Sequence, residues 1–311
     1  MFRTSTGVIR SVLAAAVLAI AASSGAAKAA DIPESQDPVI LAIHEWTGQH
    51  ITTYIAGHIL ERMGYNVEYV TASYLPSATG IADGSITASL EVWDNNLGEF
   101  YPGLLAEGQI DDIGDTGLDS REGWLYPKHV EEMCPGLPAW DALIGCAEIF
   151  ATAETFPNGR FLEYPADWSD RATQLIVNEG LPFDSVPAGS EGALIAELNA
   201  SIQKKSALVM MFWAPHWVLS TTETGWVEMP EDLIEKANMR KPRTFKVAWP
   251  GSAEKWPRAH KFLMAFQITN AVQEPLMDLI DNQGQDAVEV TKAWVDENES
   301  VWQPYVDQAM M

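Results

Sequence analysis

Val39 to Ile43 is an unbroken apolar run, the pattern of a strand covered on both faces. After Trp46, apolar residues recur at Ile51, Tyr54, Ile55, Ile59 and Met63. That spacing predicts a helix, and Gly64 predicts its end. Val67, Tyr69 and Thr71 alternate as a strand, a second helix is expected over Ser77 to Asp83, and Ile86 to Val92 reads as a third strand. The order β-α-β-α-β argues for an α/β fold with a parallel sheet and right-handed crossovers.

The pattern breaks at Gly114, Asp115, Thr116, Gly117 and Asp119, a turn-rich acidic stretch expected to cross into a second lobe. Asp111 and Asp112 just before it read as solvated turn residues. Beyond the crossing, Gly123 to Pro127 predicts a short strand. Helices are expected over Ser169 to Asn178 and Glu191 to Ser201, and a strand over Ala207 to Phe212. From about Met229 the chain is expected to return, with a strand over Thr244 to Ala248 and helices to the end. The expected organisation is thus 31–116 with 229–311 as one α/β lobe and 117–228 as the other.

Residues 1–30 are set apart from this. Arg3 and Arg10 precede the short apolar run Ser11 to Ala22, and Ala27-Lys28-Ala29 offers small residues where a signal peptidase cuts. The expectation is a cleaved signal peptide and a soluble, periplasmic product. Cleavage removes three basic and no acidic residues, leaving 16 basic against 43 acidic, a net charge of −27. Such a chain repels nucleic acid and anionic lipid. Its two cysteines, Cys134 and Cys146, read as a structural disulfide in an exported protein.

The twelve tryptophans change the picture most, all of them beyond the signal segment. Ligands of open parallel sheets sit beyond the carboxyl ends of the strands. Trp46, Trp93 and Trp213 each follow or end a predicted strand, and Trp168 opens a predicted helix. Several indole faces around one point suit a methylated ammonium. Such a cation offers no strong N–H donor, and its diffuse charge is attracted by the negative ring face at roughly 0.5–2 kcal/mol per contact. Trp140, Trp217, Trp226, Trp256, Trp294 and Trp302 read instead as packing residues.

On these residues the chain resembles the glycine betaine, proline betaine and choline class of substrate-binding proteins of ABC importers. The resemblance rests on Phe212-Trp213-Ala214-Pro215-His216-Trp217, a W-x-P-H-W segment. Gly64-Tyr65-Asn66-Val67, Glu91-Val92-Trp93 with Asn95-Asn96, Gly123-Trp124-Leu125-Tyr126-Pro127, and Trp294, Asn298, Val301 and Trp302 support it. It implies a two-lobed Venus-flytrap fold with two crossings between the lobes and a small-molecule ligand between them. It further implies a monomer that delivers to an ABC permease. It places cage walls at Trp46, Trp93 and Trp213, with a fourth at Trp168 or, in its stead, Trp124 or Tyr126. Choline binders of the class carry an Asp two residues after the first cage Trp, where this chain has Gly48. The resemblance is strongest to marine trimethylamine N-oxide binders, and it matches Glu131 to the carboxyl that reaches the oxide. Glycine betaine and choline stay open as alternatives.

Other classes find less support. There is no G-x-S-x-G elbow, H-E-x-x-H or glycine-rich phosphate loop, so an enzyme is not expected, nor a cofactor or a metal. A carbohydrate binder would pair its aromatic faces with more amides and acids than these strand ends supply.

Overall fold

The computed structural model describes Met1 and residues 32–311. The expected signal peptide lies, apart from Met1, outside the described residues. Among the described residues no helix is long and apolar enough to cross a membrane.

Among the described residues ten strands form two five-stranded sheets. They are β1 (Val39–Ile43), β2 (Val67–Thr71), β3 (Ala88–Trp93), β4 (Asp111–Asp115), β5 (Arg121–Pro127), β6 (Gly159–Glu163), β7 (Phe183–Pro187), β8 (Val209–Ala214), β9 (Thr224–Trp226) and β10 (Thr244–Ala248). The first sheet has the order β2-β1-β3-β10-β4 and the second β7-β6-β8-β5-β9. The architecture is α/β, as the alternation of patterns predicts. In each sheet three strands run parallel, and one antiparallel strand follows them. The chain passes from the first sheet to the second between β4 and β5 and comes back between β9 and β10.

The parallel strands of the first sheet form where the sequence pattern predicts them, whereas β6 and β7 of the second were not predicted. All six residues of β3 are buried, and the helix Thr47–Arg62 lays Ile51, Ile55 and Ile59 on the first sheet. That helix ends two residues before Gly64, whose φ of 99° lies in the left-handed region that a side chain would strain. The acidic stretch at 111–115 departs from expectation. It forms edge strand β4, paired antiparallel with β10. An edge strand needs only one hydrogen-bonded side, so its carboxylates stay at the surface, where Arg243 bonds Asp112 and Asp115.

Cys134 and Cys146 form a disulfide bond. They clasp the turn Pro135 to Pro138 to the helix Trp140–Gly145. The bond closes a loop spanning 12 positions, which in the chain-entropy account stabilises by about 3 kcal/mol. Replacing both cysteines with serine should therefore lower the melting temperature by roughly 4–10 °C in a thermal scan. An unchanged melting temperature would remove the disulfide from the stability account.

Candidate functional site

Two strands of each sheet deliver an aromatic side chain to one small cavity. Trp93 is the last residue of β3, Trp46 stands at the start of the helix after β1, Tyr164 directly follows β6, and Trp213 is the penultimate residue of β8. Trp168 and Tyr74 complete the ring, with Asn96 and Glu122 as the polar lining. These eight residues enclose a small cavity. Trp168 meets Trp46 and Trp213 edge-on, each at 5.6 Å between ring centres. Tyr164 sits 5.7 Å from Trp213, and Tyr74 lies 5.6 Å from Trp46.

The indoles are held from behind by carboxylates. Glu91 on β3 is buried, and its Oε1 accepts from Trp46 Nε1 at 2.8 Å and from Trp93 Nε1 at 3.2 Å. Its Oε2 accepts from Thr52 Oγ1 at 2.8 Å and Gln273 Nε2 at 2.9 Å. Burial pushes the Glu91 carboxyl above its ordinary pKa, and these four hydrogen bonds pull it back. Trp168 Nε1 donates to Glu45 Oε2 at 3.0 Å. Glu45 is also raised, first by desolvation and then by the neighbouring Asp167.

The polar wall belongs to Glu122. Its carboxylate is almost fully buried and forms an ion pair with Arg171 at 2.8 Å. Asn95 Nδ2 and Asn96 Nδ2 also donate to it. Beside it, the buried Tyr164 hydroxyl makes no hydrogen bond of normal geometry among the described residues, although Glu122 lies near enough to raise its pKa, and Asn96 Oδ1 has no partner either. Burial drives the Tyr164 pKa well up, so the hydroxyl keeps its proton and can donate.

The sequence expectations fare differently here. Trp46, Trp93, Trp168 and Trp213 are brought together as lining. Trp124 and Tyr126 are not: Trp124 packs inside the second sheet's core against Phe161 at 4.2 Å and Trp140 at 5.2 Å. They share a strand face with Glu122, but β5 advances by about 3.3 Å per residue and carries them away from the crevice. Glu131 also lies outside the cavity lining. It follows the far end of β5, where it accepts from Lys128 Nζ at 2.6 Å and Tyr126 Oη at 2.8 Å. The Lys128 ammonium and then the Tyr126 hydroxyl hold its pKa below the usual range. The acid at the cavity is Glu122 instead. Its signal in the sequence was its place at the amino end of the strand after the crossing. An antiparallel strand offers that end to the crevice. Tyr164 was missed because Gly159–Glu163, with two strongly apolar residues, did not read as a strand.

Trp217, expected as a packing residue, precedes the short helix Val218–Thr221 and donates from Nε1 to Asp281 Oδ2 at 3.0 Å. Asp281, Glu191 and His216 converge within 4.8 Å of one another. His216 Nδ1 accepts from Val218 N–H at 3.2 Å, and its Nε2 lies 3.3 Å from Glu191 Oε1. Neither His216 Nε2 nor Glu191 Oε1 has a hydrogen-bond partner among the described residues. Thr47, next to Trp46, donates from its backbone N–H to Glu191 Oε2 at 2.9 Å and from Oγ1 toward Asp281 Oδ1 at 2.6 Å. Burial first, then the charge of Glu191, raises Asp281 to about 6, while Thr47, His216 and Trp217 oppose the shift. Glu274 also feels the His216 ring from the neighbouring helix Asn270–Met277. The folded state then binds the Asp281 proton more tightly than the unfolded chain, whose reference value is 3.8. This contribution to stability grows as pH falls from about 6 toward 4. Asp281→Asn should accordingly raise the melting temperature at pH 7 and show less gain than wild type between pH 7 and pH 5. Equal gains in the two proteins would refute this reading of Asp281.

The family of substrate-binding domains of ABC-type glycine betaine transport systems matches residues 37–297. The trimethylamine N-oxide-binding protein of Pelagibacter ubique (strain HTCC1062) is 29% identical over 96% of this chain and 98% of its own length. Among solved structures, a choline-binding protein of an ABC transporter in complex with choline superposes with a TM-score of 0.76 at 17% identity, over 89% of this chain and 97% of that one. The glycine betaine/L-proline-binding protein of Borrelia burgdorferi gives 0.74 at 20% identity, over 88% and 100%. A lactococcal glycine betaine complex in its closed conformation gives 0.71 at 17%, over 88% and 100%.

Proposed function

The chain belongs to the family of substrate-binding domains of ABC-type glycine betaine transport systems, and from that premise we propose that it captures trimethylamine N-oxide outside the membrane and hands it to an ABC permease. In this reading residues 1–30 direct export, the mature chain acts as a monomer in the periplasm, and no covalent step occurs. We place the lobes at 31–116 with 229–311 and at 117–228, each bringing part of the cage.

The observation that carries the choice of ligand is the pairing of aromatic walls with one buried hydroxyl. Trp46, Trp93, Trp168 and Trp213 offer ring faces to the methyl groups. Beside the Glu122 carboxylate, an oxygen acceptor needs a donor, and Tyr164 Oη is a buried donor of the lining that makes no hydrogen bond of normal geometry. One oxide oxygen matches one hydroxyl. A betaine carboxylate would bring two acceptors against the Glu122 carboxylate. The likeness to the Pelagibacter protein supports the same choice. Choline is the second reading, because its hydroxyl could donate to Glu122.

Ligand binding on this account drives closure, since only the closed state presents every indole together. Calorimetric titration of the mature protein with trimethylamine N-oxide, glycine betaine, choline and carnitine is the test. Micromolar binding of trimethylamine N-oxide, with the others far weaker, is the expected result. Preference for choline would move the assignment to the second reading, and no heat from any of the four would overturn the function.

A further inference from the structure

One buried acid serves two cage walls at once. Glu91 lies behind Trp46 and Trp93, and both indole N–H groups end on the same oxygen, Oε1. Its other oxygen faces two more donors, Thr52 Oγ1 and Gln273 Nε2. Four donors converge on one carboxyl group, an arrangement that suits an acceptor-only carboxylate. Among the described residues no ion pair includes Glu91. A buried charge without a counter-charge is costly, and packing alone would be served as well by an uncharged acceptor.

We infer that Glu91 is a specificity-determining residue, charging the two indoles it holds so that the cage prefers a methylated ammonium to a neutral group of the same shape. The inference rests on the proposed function above and adds the source of the selectivity. An N–H bond to a carboxylate polarises the indole and makes its face more negative, which strengthens its attraction for a cation. The carboxylate also acts directly, one ring away, in a dry region where charges are weakly screened. The ligand's ammonium thereby becomes the counter-charge that Glu91 otherwise lacks. Glu45 holds Trp168 in the same way at 3.0 Å, so three of the four indoles carry a carboxylate on their N–H. Glu45 is exposed, so its share is smaller.

The test compares wild type, Glu91→Gln and Glu91→Asp by calorimetry. The ligands are trimethylamine N-oxide, choline and 3,3-dimethyl-1-butanol, the uncharged carbon isostere of choline, the last measured by competition. Glutamine keeps an oxygen for the indoles and removes the charge. It should weaken both ammonium ligands by about tenfold and leave dimethylbutanol within about twofold. Aspartate keeps the charge at shorter reach, so the preference for choline over dimethylbutanol should survive even where both weaken. Equal losses for charged and uncharged ligands would show that Glu91 only positions the rings, and no loss would show that its charge does not reach the ligand. Either result overturns the inference and leaves the proposed function standing. Wild type that binds no methylated amine would instead remove the function itself. Should Glu91→Gln not fold, Glu45→Gln carries the same comparison. A loss of about twofold confined to the ammonium ligands supports the inference, and an equal effect on both kinds overturns it.

Discussion

Replacing Trp213 with alanine should weaken trimethylamine N-oxide binding by at least tenfold, and by as much as about a thousandfold. The lost ring face contributes roughly 0.5–2 kcal/mol to a desolvated cation. The contacts of Trp213 with Tyr164 and Trp168 go with it, each worth about 0.5–1.5 kcal/mol. Tyr164 would lose the neighbour that orients its hydroxyl, and water would enter beside the ammonium. Trp213 is 4% exposed, so the change also costs stability. The affinity must therefore be read on protein whose far-ultraviolet circular dichroism matches wild type. Trp213→Phe, which keeps a ring, should fall between the two. Unchanged affinity in Trp213→Ala would sink the assignment of the cage.

Arg171→Ala should have the largest effect on stability. Its guanidinium sits on Glu122 with side-chain exposures of 12% and 2%, so the pair is buried on both sides. Removing one partner of a buried pair leaves an uncompensated charge and costs about 3–5 kcal/mol. The other guanidinium contacts, to Asn238 O and Ser169 Oγ, would be lost as well. The melting temperature should drop by roughly 5–10 °C. The double variant Arg171→Ala with Glu122→Gln should recover much of that loss, because no charge is then left unpaired. A drop equivalent to under about 1 kcal/mol in the single variant would mean that Asn95 and Asn96 suffice to hold the carboxylate.

These two residues mark how far the site was legible. Trp213 could be found because a tryptophan at the carboxyl end of an apolar run announces itself by position. Trp46 and Trp93 reach the cavity lining from strand ends in the same way. Glu122 follows a turn-rich crossing, where an acid looks solvated. It reaches the cavity only because β5 pairs antiparallel with β8, opposite Trp213. Glu131 follows the other end of β5, and a match of residue types cannot measure the length of a strand. Glu91 stood in view within Glu91-Val92-Trp93, yet nothing local says that its carboxylate meets the indole of a residue 45 positions earlier. Edge strand β4 was read as a turn for a related reason: the Arg243 that balances its acids arrives from 128 residues further on.

The sequence by itself determined the α/β alternation, the three-strand parallel core of the first sheet, the cysteine pair and the aromatic character of the cage. Each of these is written in local periodicity, or in residue type at a strand end, and the physics that reads it acts over a few residues. Only the tertiary structure decided which polar groups face the ligand and which carboxylates stand behind the indoles. Those partners lie far apart in the chain and meet through sheet order and strand direction, which no single segment encodes.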